Sequence, residues 1–134
     1  MPGLPPAWPA RFPRVRFVPG AVDMDLLLPA ADLAITNGSG TIPNCLLAGV
    51  PVLVLPHFNE QYLAGLRLQQ YGAGVVVPGR ASTAEYVALL DRLLTQPTFK
   101  QQALAFAQRY AGHHRDTTGR AVFALLEDML RRAA

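Results

Sequence analysis

Thr36-Asn37-Gly38-Ser39-Gly40-Thr41 and Pro56-His57-Phe58-Asn59-Glu60-Gln61, with an apolar helix-like stretch and the strand-like Val52-Leu53-Val54-Leu55 between them, decide how this chain reads. A strand that ends in a Gly/Ser/Thr turn and runs straight into a helix aims several backbone N–H groups at one point. Such a point binds phosphate without a charged side chain. The same turn also occurs in many α/β domains for backbone reasons alone, because glycine reaches conformations closed to other residues. The second turn favours the ligand reading. Both turns fall at the carboxyl ends of adjacent parallel strands, where open sheets collect ligands. The expectation is a phosphorylated ligand held between them.

Around these turns, Leu33-Ala34-Ile35-Thr36, Val52-Leu53-Val54-Leu55 and Val75-Val76-Val77 are apolar on both faces and bounded by turn residues, as strands of a parallel sheet are. Residues 41–48 and 59–71 have helical length, and each is followed by a glycine, Gly49 and Gly72, suited to a left-handed helix end. The order is β-α-β-α-β with right-handed crossovers expected. Upstream, Val15-Arg16-Phe17-Val18 alternates and stops at Pro19-Gly20, which reads as a further short strand; residues 24–28 read as one or two helical turns ended by Pro29. Five prolines among the first 14 residues make residues 1–13 an extended lead-in, leaving 14–134 as one domain.

The last third reads as helical. Ser82-Thr83-Ala84-Glu85 is a capping-box pattern ahead of Tyr86, Val87, Leu89, Leu90, Leu93 and Leu94. Pro97 sits where a first helical turn tolerates proline, and Phe99, Ala103, Phe106 and Tyr110 share one face of the helix it opens. Asp116 is the expected cap of a third helix, with Val122, Leu125, Leu126 and Met129 facing inward. The fold class is therefore α/β, a doubly wound Rossmann-like parallel sheet with a helical C-terminal third. A helix-covered sheet of this kind carries strands on both sides of its switch point. With none before Val15, the sheet is expected to be incomplete at its N-terminal side, as the later part of a larger unit or as a half completed by another chain.

Composition excludes several classes of function. At 134 residues, 51% hydrophobic and 16% charged, the chain can bury a core and is not disordered. The net charge of +3 comes from scattered arginines without interleaved aromatics, which argues against a nucleic-acid partner. A single cysteine allows no intrachain disulfide and no cysteine metal cluster, and Cys45 reads as core packing. His113 and His114 are adjacent with no third ligand at helical spacing, so no metal is expected. His57 is either a ligand contact or a plain loop residue. No apolar run reaches the roughly 18 residues of a membrane span and no signal-peptide order opens the chain, so the cytoplasm is the expected compartment.

From about Arg14 onward the chain resembles the donor-binding C-terminal domain of nucleotide-sugar glycosyltransferases with two Rossmann-like domains, the GT-B architecture, typically UDP- or TDP-dependent. The residues that carry the resemblance are Val15-Arg16-Phe17-Val18-Pro19, Leu26-Leu27-Leu28-Pro29-Ala30-Ala31-Asp32-Leu33, the glycine turn, Leu46-Leu47-Ala48-Gly49-Val50-Pro51, residues 56–61 and Tyr71-Gly72-Ala73-Gly74-Val75. The family turn reads Thr-His-Gly-Gly-x-Gly-Thr, which implies that Asn37, Gly38, Ser39, Gly40 and Thr41 bind the donor diphosphate. Asn37 stands in for the histidine; its amide still donates but gains no positive charge as the leaving group develops. Asn44 stands where a glutamate holds the ribose, Glu60-Gln61 where an Asp-Gln pair holds the donor sugar, and Phe17 where an aromatic stacks on the base; Gly20 replaces a glutamine that often follows that aromatic.

The resemblance implies transfer of a hexosyl group from a nucleoside diphosphate sugar, which is substrate and not cofactor. It places the general base in an N-terminal acceptor domain or partner chain, so no catalytic residue is assigned here, and the isolated chain is expected to turn nothing over. The alternative is a degenerate domain that keeps the fold as a binding or assembly module, since Asn37 and Asn44 replace the two most diagnostic side chains. Other two-domain sugar-nucleotide enzymes, such as epimerases, share the donor site.

Overall fold

A computed structural model describes residues 7–38, 40–112 and 115–133. Strands β1 (Ala34–Thr36), β2 (Val52–Val54) and β3 (Gly74–Val76) form a parallel sheet in the order β1-β2-β3, with Ala34 opposite Val52 and Val52 opposite Gly74. The helices are α1 (Trp8–Arg11), α2 (Met24–Leu27), α3 (Thr41–Leu47), α4 (Asn59–Tyr71), α5 (Thr83–Thr95), α6 (Pro97–Arg109) and α7 (Arg115–Ala133). The crossovers α3 and α4 end at Gly49 and Gly72, whose φ angles of +69° and +84° lie in the left-handed region.

Alternation along the strands feeds two layers. Val52, Val54 and Val76 pack with Ile42, Cys45 and Leu46 of α3, Leu68 of α4 and Ala103 of α6. Leu53, Val75 and Val77 pack on the other face with Leu93 of α5 and Phe99 of α6. Helices thus cover both faces, which is the doubly wound plan expected from strands apolar on both sides. Helix α4 lies so close to the sheet that a Cβ at Gly65 would stand 2.6 Å from a Val76 methyl group.

The two edges differ. The Val76 N–H, on the side of β3 away from β2, is taken by Gln69 Oε1 at 3.2 Å. No strand pairs with the outer edge of β1 among the described residues, and Ile35 is more than half exposed there. β1 is thus an edge strand among the described residues.

Three expectations need correction. Residues 15–18 form no strand: Val15 and Val18 are 52% and 51% exposed, and no neighbour among the described residues supplies ladder bonds. Alternation is a pattern that a strand needs, but pairing is what makes one. Pro29 does not stop the helical turns; the chain tightens into a 3-10 turn over Leu28–Ala30, an early position where proline's missing N–H costs nothing. Asp23 starts α2 by accepting from Asp25 N at 3.0 Å. Finally, Val122, Leu125, Leu126 and Met129 of α7 do not face inward, since they are 51–60% exposed. Their spacing calls for an apolar counter-surface, and the described residues provide none. Asp116 lies inside the first turn of α7 and its side chain falls outside the described residues.

Candidate functional site

The glycine turn leaves β1 at Thr36 and reaches α3 at Thr41. Gly38 is buried with φ +119°, a conformation that excludes side chains, and its N–H donates to Thr36 Oγ1 at 3.3 Å. Ser39 lies outside the described residues. Gly40 is the exposed N-cap of α3 and has no side chain with which to cap it. The N–H groups at the start of α3 that have no partner within the helix are then those of Gly40, Thr41 and Ile42, because Pro43 carries no N–H. The Ile42 amide is a donor that side-chain reasoning missed. Counting the orphan N–H groups of a helix start would have found it. Asn37 is exposed, while Thr41 and Asn44 are half-buried, and Asn44 already has an interaction partner.

The second turn leaves β2 through Pro56 and enters α4 at Asn59. Glu60 points outward and is exposed, whereas Gln61 is buried. Gln61 Oε1 accepts from the backbone N–H of His57 at 2.8 Å and of Phe58 at 3.3 Å. The two turns abut: a Cβ on Gly38 would stand 3.1 Å from the Gln61 Cβ. Their convergence is the geometric requirement that the sequence placed on them.

Neither turn contains a lysine or arginine. An anion here would be held by amide dipoles and hydroxyls; the exposed Glu60 already has an interaction partner, as Asn44 does. His57 is exposed at the rim, its backbone N–H held by Gln61. Phe17 is half-buried in the irregular segment before α2 and pairs with no other aromatic ring among the described residues. Cys45 is fully buried beneath the turn on α3; burial pushes its thiol above the usual range, partly offset by a backbone hydrogen bond. His113 and His114 lie outside the described residues. Among those described, no side-chain group fit to hold a metal ion occurs, and no helix is long and apolar enough to cross a membrane. A cavity of about 470 Å³ opens between β3 and α5, lined in part by Pro78, Arg80, Glu85 and Arg92, and shares no residue with the two turns.

Residues 9–118 match the family described as erythromycin biosynthesis protein CIII-like, C-terminal domain. A curated relative, a sterol 3-beta-glucosyltransferase of Vanderwaltozyma polyspora, is 29% identical over 108 residues, which is 80% of this chain and 9% of that protein. The spinosyn rhamnosyltransferase SpnG, solved with spinosyn aglycone, superposes with a TM-score of 0.69 at 24% identity over 78% of this chain and 30% of SpnG. The spinosyn forosaminyltransferase SpnP superposes at 0.59 with 27% identity over 66% of this chain and 24% of SpnP. The chain thus spans under a tenth of the length of the first curated relatives and about a third or less of these solved enzymes.

Proposed function

Because this chain belongs to the glycosyltransferase family of erythromycin biosynthesis CIII-like C-terminal domains, we propose that it is the donor-binding half of an enzyme that moves a hexosyl group from a nucleoside diphosphate sugar to an acceptor. The observation that carries this reading is the contact between the glycine turn and the start of α4, where Gly38 meets Gln61. On this reading the amides of Gly40, Thr41 and Ile42 and the Thr41 hydroxyl take the diphosphate, Asn37 lies beside it, Asn44 faces the ribose and Glu60 accepts from sugar hydroxyls. Phe17 is kept as the base-stacking residue. The acceptor and the general base belong to an N-terminal domain or a partner chain.

Asn37 and Asn44 favour a second reading, a domain that keeps the fold as a binding or assembly module without donor binding. Calorimetric titration with UDP, TDP and GDP and their sugars separates the two. A Cβ at Gly40 meets nothing within 4 Å and its φ of −62° suits any residue, so Gly40→Leu tests the site without disturbing the fold. Saturable binding lost in Gly40→Leu, at unchanged thermal stability, supports the donor half. An intact fold that binds none of these ligands supports the module.

A further inference from the structure

We propose that Gln61 is a positioning residue of the donor pocket, fixing the spacing of the two turns through its carboxamide oxygen and its buried stem; this rests on the donor-binding reading above. Gln61 is the buried polar side chain of the described core, 9% exposed. A carboxamide oxygen has two lone pairs, and the His57 and Phe58 amides take both. What remains toward a ligand is Nε2, which only donates. Phe58 is the N-cap of α4, extended at φ −133° and ψ 157°, and its ring offers no capping oxygen. Gln61, three residues on, supplies the side-chain-to-cap half of a capping box and thereby ties the 57–58 backbone to the helix.

The stem completes the device. Gly38 packs against the Gln61 Cβ so closely that no added carbon fits between them without displacement. The diphosphate turn therefore rests on the side chain that holds the second turn, and Glu60 lies next to that anchor in sequence. Loosening the oxygen end releases the His57 and Phe58 amides and loosens the backbone that leads into Glu60.

Two substitutions in the full chain separate holding from ligating. Gln61→Met keeps length and removes the acceptor; Gln61→Glu keeps the acceptor and removes the donor. Amide hydrogen exchange by NMR is expected to rise about tenfold or more at His57 and Phe58 in Gln61→Met, with Leu53 and Val75 unchanged, and to stay near wild type in Gln61→Glu. Calorimetry with UDP and UDP-glucose is expected to show the sugar-dependent gain in affinity lost in Gln61→Met and kept within about threefold in Gln61→Glu. Unchanged exchange at His57 and Phe58 in Gln61→Met overturns the proposal. So does loss of the sugar-dependent gain in Gln61→Glu with both amides still protected, which would make Gln61 a direct sugar contact. If Gln61→Met does not fold, Gln61→Asn, whose oxygen falls a methylene short, is read by the same criteria. Wild type binding no nucleotide at all, with the exchange pattern as expected, removes the donor-binding reading and leaves the anchor standing.

Discussion

Gly38 and Gly40 stand two residues apart in one turn and answer to different constraints. Gly38 combines φ +119° with contact against Gln61, so Gly38→Ala is expected to cost about 1–3 kcal/mol by urea denaturation. Gly40 is helical in conformation and open to solvent, so Gly40→Ala should be neutral or stabilising by up to about 1 kcal/mol. A Gly40→Ala variant as unstable as Gly38→Ala would contradict this geometry. The turn itself was legible in the sequence because its glycines follow an apolar strand and precede a helix. That the Gly38 amide is already bonded to Thr36, and that the Gln61 oxygen turns back to the backbone, was not. Both depend on turn geometry that residue type leaves open.

The start of α5 was legible because a cap is a local event, whereas Asp116, the expected cap of the last helix, lies inside α7. Ser82 and Glu85 form the expected reciprocal box, with Glu85 Oε2 2.6 Å from Ser82 N and 2.7 Å from Ser82 Oγ. These bonds favour the ionised carboxylate, and the backbone bond, then the hydroxyl bond, lower its pKa from the ordinary value. A depressed folded pKa means that the box contributes fully above the unfolded value of about 4.3 and is lost as pH falls through the lower folded value. An NMR titration should find Glu85 below the usual glutamate range, and Ser82→Ala, which removes the hydroxyl bond and keeps the larger backbone one, should raise it only part of the way back. Packing was less legible than capping. Gly65 reads as an ordinary helix glycine, yet a Cβ there meets Val76 at 2.6 Å and Val54 at 3.3 Å. Gly65→Ala should therefore destabilise by about 1–3 kcal/mol in thermal melts, against the gain expected at an exposed helix glycine. The missing strand at residues 15–18 is the converse case, a correct local pattern without a neighbour to pair with.

For the whole molecule, the layered sheet followed from three apolar strands spaced by two helices, and the structure places helices on both faces accordingly. The docking of α7 did not follow, because amphipathicity states that a face must be covered and not by what. With its apolar residues more than half exposed, α7 contributes little burial to the described core. Deleting residues 115–134 is expected to shift the melting temperature by less than about 4 °C, roughly the effect of 1 kcal/mol on a domain of this size, and to reduce dye binding to exposed apolar surface. A large loss of stability would show that the helix is docked in solution.

The glutamine that occupies the Val76 donor leaves the sheet asymmetric. A foreign chain seeking to extend the ladder meets an obstructed rung beside β3 and, among the described residues, an unpaired edge beside β1. Among the described residues, a further strand is therefore easier to add beside β1 than beside β3.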